Sequence, residues 1–544
     1  MSSNLKKENK ASFLQNILML MFSQVVIKVL GLVYKVVIVD VEGFGNTGNG
    51  YYSTGYQIYM ILLALSSMGI PNVVSKLVSE RVAKKDFIAA HRVFRFCFAI
   101  FFTLGIIFAL TLFFGAEFIA TSILKASGVK YTLMALAPAL IVVPPSAVMR
   151  GYFVGLGSMK ATSKSLIVEQ FFNCVLSIGF VYACVGKDTA IMAAAGNLST
   201  SCACAIAFLY LIVFFTKRKA DIKEECENQT EAPEYKSKKD MVKTILAISI
   251  PISFSSLISV LGSAIDTVTV SRCVQNAFVG VAQNLEEKAM ELYGLLQKTE
   301  TITHLPLAIS ATFCTAIVPA ISAAVAKNDR ETANRKISAS FFINSLFIFP
   351  CMAGFIVLAE PILKLLYPSV PDGALVLSLL TIALPFSSMN FILNGVLYGI
   401  GKTYVPAIAL SIGSALKLGL NIWLVNIPSI NIYGAVTSTI IYNTLIFIIE
   451  LYFVSKCITL KVDMIKCFVK PIISSAVMGV AVFFVYKMFI AVMSNTLATI
   501  ISIIAGAVVY GILILLTKSL NKEDLGSLPM GGKLCRLLEK LRLI

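Results

Sequence analysis

Apolar residues dominate the chain in runs of about 20, each long enough to cross a bilayer as one α-helix. Short polar segments separate the runs, and the period-two alternation of a membrane β-barrel is absent. The pattern predicts an all-α membrane protein with about 14 transmembrane helices. The connection between the first two spans, residues 40–51, is rich in Gly and Asn. The predicted spans are residues 13–39, 50–75, 93–115, 131–153, 165–185, 190–216, 244–271, 290–325, 337–359, 374–398, 404–426, 432–455, 467–489 and 494–518.

The longest polar stretch, residues 217–243, divides the first twelve spans into two sets of six that resemble each other. Residues 82–92 and 325–335 share the pattern V-A-K-x-D-x-x-x-A-x-R, and residues 150–157 and 394–401 share x-G-x-x-x-G-x-G. Six helices per copy is an even number, so both copies insert in the same orientation. The repeat predicts two six-helix lobes, spans 1–6 and 7–12, related by a pseudo-twofold axis along the membrane normal, with the binding site between them.

The predicted domain organisation follows from this repeat. Spans 13 and 14 carry almost no internal charge and have no counterpart in the repeat, and the C-terminal tail places leucines on one helical face with basic residues beside it, as a helix on the inner membrane surface would. The expected parts are an N-lobe at 1–216, a cytoplasmic linker at 217–243, a C-lobe at 244–455, an appended pair of spans at 456–518 and a cytoplasmic amphipathic tail at 519–544.

The net charge of +17 reflects topology. With a mean hydropathy of +0.84 and only 14% charged residues, the chain cannot expose its apolar surface to water. Of its 46 Lys and Arg residues, 35 fall on one predicted side of the membrane, 7 on the other and 4 within spans. This asymmetry predicts that both termini are cytoplasmic, and that the positive side contacts anionic membrane lipids and no nucleic acid.

Span 1 carries the most informative polar pattern. Gln24, Lys28 and Lys35 share one helical face with Gly31 between the lysines. A Lys at membrane depth costs about 2.5–3.5 kcal/mol, so this face must meet water, a counter-charge or an anionic ligand. We expect it to line a cavity for an anionic substrate. The alternative is a structural role, in which Lys35 pairs with Asp266 of span 7.

Further ionisable and amide side chains concentrate in spans 5, 7, 8 and 11. For Arg150 an anchoring role with Glu169 as partner is equally open. Glu169 and Asp266 could bind a coupling Na⁺ or H⁺ or serve in ion pairs, and His304 could be a helix contact beside Glu300. The candidates for the substrate cavity are Lys28, Lys35, Arg150, Gln170, Asn173, Lys417 and Asn421. The candidates for coupling or gating are Glu169, Asp266, Lys298, Glu300 and His304.

No metal site or cofactor is expected. The twelve cysteines lie mostly within apolar runs, where they suit small core positions, and the chain has only two His residues. No Cys pair has zinc-ligand spacing with His partners. Any ion used by the protein would be a coupling Na⁺ or H⁺.

Three stretches resemble a known family: Arg150 to Gln170 (RGYFVGLGSMKATSKSLIVEQ), Gly69 to Glu80 (GIPNVVSKLVSE) and Lys28 to Gly31. They are similar to the polysaccharide-transporter branch of the multidrug/oligosaccharidyl-lipid/polysaccharide exporter superfamily, in particular its sporulation and lipid II flippase group. The resemblance implies a flippase for undecaprenyl-pyrophosphate-linked saccharides that works by alternating access in the cytoplasmic membrane of a bacterium. It would serve cell-wall, spore-cortex or surface polysaccharide synthesis, with cell-wall synthesis enzymes as candidate partners beside the lipid-linked saccharide.

Three other functions are weighed against this one. A multidrug (MATE-type) antiporter exchanging cationic drugs for Na⁺ or H⁺ is disfavoured, because span 1 offers lysines where a cationic drug would prefer carboxylates and aromatic rings. An enzyme is not expected, because no cytosolic stretch is long enough for a nucleotide-sugar domain. A scaffold would leave the lysines within span 1 unexplained.

Overall fold

The computed structural model describes residue 23 and residues 26–227, 238–327, 329–458 and 462–517. Gln24 and the amphipathic tail predicted at 519–544 lie outside this part of the chain. The described residues are almost entirely helical, with no β-strand among them. They form two compact units, which we call unit 1 (up to Gln297) and unit 2 (from Lys298), and each is described by itself.

Unit 1 contains the helices up to the first part of α10. Short π-helical turns, Ala64–Met68 and Ile119–Ile123, follow α2 and α4. Within the charged linker predicted at 217–243, the structure describes a short helix, α8. The helices are α1 (residues 26–39), α2 (Gly45–Leu63), α3 (Ile70–Ala83), α4 (Phe87–Phe118), α5 (Val129–Gly155), α6 (Lys160–Ala183), α7 (Thr189–Lys217), α8 (Lys219–Glu227), α9 (Lys238–Ala277) and α10 (Leu285–Ala326).

Unit 2 contains the remainder of α10 and the helices that follow. A 3₁₀ turn, Thr381–Ala383, joins α13 to α14, and a π turn, Ile465–Val469, precedes α17. The helices are α11 (Arg330–Val357), α12 (Ala359–Leu366), α13 (Ala374–Leu380), α14 (Leu384–Ile400), α15 (Tyr404–Val425), α16 (Ile432–Cys457), α17 (Lys470–Ile490) and α18 (Asn495–Leu516).

The helices confirm the predicted all-α membrane fold. Within the described ranges, 12 helical segments are long and apolar enough to cross a membrane. Helices α1 and α10 occupy the other two predicted spans, and the count of fourteen stays a prediction. Large apolar side chains such as Phe114, Trp423 and Phe484 point outward, as a surface in contact with lipid requires.

The predicted start of the second span, at residue 50, is wrong. The Gly- and Asn-rich connection at residues 40–51 is helical from Gly45 onward, so α2 begins five residues before the predicted span. A Cβ atom at Gly50 would overlap the carbonyl oxygen of Met290, and one at Gly294 would overlap that of Asn46. The glycines therefore let the backbones of α2 and α10 touch, and this long-range contact outweighs the poor helix propensity of the segment.

The repeated V-A-K-x-D motif forms the same helix corner in both units. Asp86 accepts a hydrogen bond from the backbone N–H of Ala89 (2.9 Å) and caps α4, and Asp329 accepts one from Thr332 (2.9 Å) and caps α11. The hydrogen bond from Thr332 lowers the pKa of Asp329. The two capping residues are 243 positions apart (329 minus 86).

The glycines of the second repeated motif allow neighbouring helices to pack closely. Gly151 and Gly155 of α5 lie against Pro71 and Val78 of α3. In unit 2, Gly395 and Gly399 of α14 lie against Cys314 and Ile321 of α10. A side chain at any of the four would meet neighbouring atoms closer than 3 Å. Equivalent glycines thus bring equivalent helices together, as expected for duplicated six-helix bundles.

The last glycine of the motif ends the helix in each copy. Gly157 (φ +80°) follows α5 and Gly401 (φ +85°) follows α14, both in the left-handed region that favours glycine. The next residue in each copy, Ser158 or Lys402, donates its N–H back into the last helical turn at 2.9 Å. The motif is therefore a helix terminus, not a phosphate-binding loop.

Candidate functional site

The predicted polar face of α1 lies toward α6 within unit 1. A Cβ atom at Gly31 would lie 3.7 Å from the side-chain nitrogen of Gln170, so the two helices approach each other there. Lys28 and Lys35 lie one turn before and one turn after Gly31 on the same face. Lys28 is exposed and Lys35 is half-buried. The structure thus brings Lys28, Lys35 and Gln170 onto one side of unit 1.

The Lys35 ammonium lies over the first ring of a row of tyrosines on α2. The Nζ atom lies 5.8 Å from the centre of the Tyr52 ring, a distance typical of a cation–π contact. The hydroxyl of Tyr52 lies 3.2 Å from that of Tyr34, and both residues are buried. Rings of Tyr56 and Tyr59 continue the row along α2.

Amide and hydroxyl groups of α6 and α7 extend this polar region. The side-chain oxygen of Asn173 accepts hydrogen bonds from Ser199 (2.8 Å) and Thr200 (3.3 Å). Thr200 also interacts with the hydroxyl of Tyr52, which links Asn173 to the tyrosine row. We call the set formed by Lys35, Tyr52, Gln170, Asn173 and Thr200 the unit 1 polar cluster.

Arg150 and Glu169 form an ion pair between α5 and α6. The Nη2 atom of Arg150 lies 2.5 Å from Oε2 of Glu169, and its Nε atom donates to Ser165 (3.0 Å). The thiol of Cys204 on α7 lies 3.8 Å from the other carboxylate oxygen. This is the pairing that the sequence offers as the alternative to a substrate role for Arg150. The two charges neutralise each other in this conformation.

Asp266 lies on α9 and only 1% of its surface is exposed. The next residue, Thr267, shares a hydrogen bond with Tyr293 of α10 (2.7 Å between the oxygens). Asp266 is thus placed in the interior of unit 1. Its predicted part in coupling stays a prediction.

In unit 2, Lys298 is fixed by a loop. Its Nζ atom donates to the backbone carbonyl of Val370 (2.6 Å) and lies 5.3 Å from the centre of the Tyr367 ring. Asp372 of the same loop lies close enough to act on it electrostatically. On the same helix, Glu300 is half-buried and His304 is exposed. Lys298 therefore anchors the connection between α12 and α13.

Lys417 and Asn421 lie one turn apart on α15. Both are buried, and the Nζ atom of Lys417 is 5.3 Å from the centre of the Tyr442 ring on α16. The predicted cavity residues are thus distributed over both units, with Lys28, Lys35, Arg150, Gln170 and Asn173 in unit 1 and Lys417 and Asn421 in unit 2.

A polysaccharide biosynthesis protein family model matches residues 13–325, more than half of the chain. The chain belongs to this family. A second model, described as MatE, matches residues 251–423. Both matches confirm the resemblance to the exporter superfamily.

Two relatives from Bacillus subtilis (strain 168) are similar over most of the chain. Stage V sporulation protein B is 27% identical over 539 residues, which cover 96% of this chain and 99% of the relative. Lipid II flippase MurJ is 24% identical over 428 residues, which cover 76% of this chain and 77% of the relative. These names do not describe enzymes, in agreement with the expectation for this chain.

Solved structures show the same fold. The inward closed conformation of lipid II flippase MurJ matches with a TM-score of 0.69 at 16% identity, over 92% of this chain and 98% of that chain. An inward-facing multidrug resistance MATE transporter matches with a TM-score of 0.64 at 15% identity, over 81% and 98%. The chain is a multi-pass membrane protein with this helical architecture.

The sequence analysis did not single out two acids with unusual surroundings in the structure, Glu286 and Glu450. Glu286, at the start of α10, accepts hydrogen bonds from Tyr51, from the N–H and hydroxyl of Ser127, and from the N–H of Gly128, all within 3.0 Å. It lies in a polar segment, so nothing in its local pattern marks it. Glu450 lies within the apolar run of α16, and that contrast was a usable signal.

The described ranges contain no group of three or more His, Cys, Asp or Glu side chains placed to hold a metal ion. What unit 1 offers instead is a set of ammonium, amide and phenol groups. Such groups can donate hydrogen bonds and positive charge to an anionic ligand.

Proposed function

We propose that this protein is a transporter that moves an undecaprenyl-pyrophosphate-linked saccharide across the cytoplasmic membrane of a bacterium. The proposal rests on membership of the family and on the names of relatives, which include a lipid II flippase and a sporulation protein. The observation that carries the substrate class is the polar face of α1, with Lys28 and Lys35 on the side of Gly31 that approaches Gln170.

The charge of this region suits a pyrophosphate better than a cation. Moving an anion through hydrocarbon without compensation is prohibitive, and ammonium and amide groups in a wet region can replace its hydration and counterions. Lys35 contributes such a charge within the unit 1 polar cluster. Glu169, which could attract a cation, is already neutralised by Arg150.

Unit 2 offers a surface suited to the lipid part of such a substrate. An apolar groove of about 700 Å³ lies among α11, α14, α16 and the segment leading into α17. A polyprenyl chain would find there the aliphatic and aromatic contacts that its hydrocarbon requires. The lining includes Phe341, Met352, Phe386, Met389, Phe447 and Phe468.

We infer that the transport cycle is alternating access, with both termini in the cytoplasm and with cell-wall, spore-cortex or surface polysaccharide synthesis as its purpose. Lys417 and Asn421 would supply further donors, and Asp266 is the candidate for a coupling Na⁺ or H⁺. Lys298, Glu300 and His304 are candidates for gating, with Lys298 acting through the loop that contains Val370.

A second candidate function is a MATE-type antiporter for cationic compounds. It is favoured by the MatE model over residues 251–423 and by the row of Tyr52, Tyr56 and Tyr59 in unit 1, since aromatic rings attract organic cations.

Reconstitution into liposomes separates the two candidates. We expect the protein to flip labelled lipid II or another undecaprenyl-pyrophosphate saccharide and to leave a cationic dye untransported. Lys35→Ala should lower the flipping rate at least tenfold, while the matched Lys187→Ala, at an exposed loop position, should not change it. Transport of the dye alone would contradict the proposal, and full activity of Lys35→Ala would remove Lys35 from the substrate path.

A further inference from the structure

Glu450 is a buried acid that the proposed function does not use. It lies in the second half of α16 with none of its surface exposed. Within the described part of the chain, neither of its carboxylate oxygens has a hydrogen-bond partner. Buried carboxyl groups are almost always hydrogen-bonded or paired, so this group calls for an explanation.

The surroundings of Glu450 are apolar. Ile446 and Val454, one turn to either side on the same helical face, are buried, and Val454 belongs to the main core of unit 2. Phe447 and Leu451 pack against the same core. An ionised carboxylate here would have no water, donor or counter-charge to compensate its lost hydration.

The titratable groups near Glu450 do not supply a positive charge. Cys314 of α10 and Tyr398 of α14 lie close enough for a charge on Glu450 to act on them, and both types are ordinarily neutral at pH 7. Lys417 of α15 contacts Tyr442, about 12 Å along α16 from Glu450. Lys456 lies over the ring of Tyr452 (4.5 Å). α13 and the 3₁₀ turn after it carry no titratable side chain.

Comparison of the two repeats shows that unit 2 lacks the guanidinium that unit 1 has at Arg150. In unit 1 the acid Glu169 meets Arg150. The repeat places Asn394 where unit 1 has Arg150, so the guanidinium is replaced by an amide in unit 2. The side-chain oxygen of Asn394 also lacks a hydrogen-bond donor. By the same offset of 244 positions Glu450 corresponds to Ile206 in unit 1, so unit 2 has a buried acid of its own and no guanidinium at position 394.

The helix register brings Asn394 near the level of Glu450. Asn390 donates to the backbone carbonyl of Asn443 (3.2 Å), which fixes α14 against α16. Both helices run in the same direction, so Asn394 falls near Phe447, about 4.5 Å along the axis from Glu450. A protonated carboxyl group is a donor, whereas an ionised one is not. An acceptor such as the amide oxygen of Asn394 near this level of the helix favours the acid form of Glu450 over the ionised form.

We propose that Glu450 is a proton-binding site of unit 2, which carries its proton in this conformation and releases it when water enters between α14 and α16. The proposal concerns the protonation of unit 2 and holds whatever the transported molecule is. Raising the pH favours the ionised carboxylate, which needs water, so the hydrated conformation of unit 2 gains population at alkaline pH.

Infrared spectroscopy of the full-length protein in lipid nanodiscs tests the proposal. We expect a protonated-carboxyl band at pH 7 that disappears in Glu450→Gln, a variant that matches the shape of the acid form and should fold. The matched Glu169→Gln should retain the band, because Glu169 lies in an ion pair with Arg150 and Glu450 has no such partner. A band unchanged by Glu450→Gln would overturn the proposal.

A second measurement needs no variant. A hydrophobic carbodiimide attacks protonated carboxyl groups in apolar surroundings, and mass spectrometry locates the modified peptide. We expect modification of Glu450 near neutral pH, decreasing as the pH rises and unchanged by Na⁺ at constant pH. Protection by Na⁺ together with independence of pH would overturn the proposal in favour of a metal-cation site. Neither readout measures transport, so failure here is distinguishable from failure of the proposed function.

Discussion

At the scale of single residues, the acids Glu169 of unit 1 and Glu450 of unit 2 lie in different surroundings. Glu169 forms an ion pair with Arg150, whereas Glu450 lies against an apolar core and neither of its carboxylate oxygens has a hydrogen-bond partner among the described residues. The energetic consequences differ as well. Removing one member of a buried pair leaves an uncompensated charge, while replacing a neutral acid by an amide changes little.

The Arg150–Glu169 pair gives a prediction for stability. Arg150→Ala should lower the free energy of unfolding by about 3 kcal/mol, the lower end of the range for buried pairs, because the Glu169 side chain is 29% exposed. Thermal unfolding in detergent measures the loss. The double variant Arg150→Ala, Glu169→Gln should recover part of it.

The matched control for this prediction is an exposed ion pair. Lys364 and Glu360 lie 2.6 Å apart on α12, and both side chains are largely solvent-exposed. Lys364→Ala should leave the melting temperature unchanged, as surface pairs contribute little. Equal effects of Arg150→Ala and Lys364→Ala would contradict a structural role for the buried pair.

The polar residues that the sequence revealed are those whose charge contrasts with an apolar run. Lys28 and Lys35 stand out in span 1 for this reason, and the structure places their face toward Gln170. Glu450 also stands within an apolar run, so the same contrast identifies it, although it is not among the residues predicted from the sequence. Glu286 could not have been found, because its importance depends on Tyr51 and Ser127, which lie more than 150 positions away in the chain.

At the scale of helices, close backbone approach explains both a success and an error. The glycines of the repeated motif were predicted to allow helix packing, and Gly151 and Gly395 do contact neighbouring helices. The glycines of residues 40–51 were interpreted as a loop, although those from Gly45 onward belong to α2. Local propensity cannot distinguish these cases, because the partner helix α10 is remote in the sequence.

The crossing of α2 and α10 gives a prediction for packing. Gly294→Ala should lower the free energy of unfolding by about 1–3 kcal/mol, because the added methyl group would overlap the backbone at Asn46. Gly179→Ala is the matched control, since a Cβ atom there has no neighbour within 4 Å. Thermal unfolding of both variants measures the difference, and a Gly294→Ala variant as stable as Gly179→Ala would contradict the tight crossing.

At the scale of the whole molecule, the repeat was the most predictable feature. Its motifs mark helix corners and contacts, whose geometry tolerates few residue types, so Asp86 and Asp329 or Gly157 and Gly401 persist in both copies. The charges between these corners are not constrained in this way. For that reason Arg150 corresponds to Asn394, and the chemistry of one unit could not be predicted from that of the other.

The charge asymmetry gives a prediction for topology. Lys187, on the connection after α6, should face the outside, and Lys219, in α8, should face the cytoplasm. Both side chains are exposed, so Lys187→Cys and Lys219→Cys should be accessible to a maleimide. A membrane-impermeant maleimide applied to intact cells should label only Lys187→Cys, with mass spectrometry identifying the peptide. Labelling of Lys219→Cys before permeabilisation would reverse the assignment.

The saturated carboxylate of Glu286 has a consequence for how unit 1 can move. Its two oxygens join α2, the turn before α5 and the start of α10 through four hydrogen bonds. Moving α10 away from the other two elements breaks all four bonds together, whereas moving α2 alone breaks only the bond from Tyr51. Displacement of α10 at this end of unit 1 should therefore be a cooperative step, while α2 can shift at the loss of one hydrogen bond.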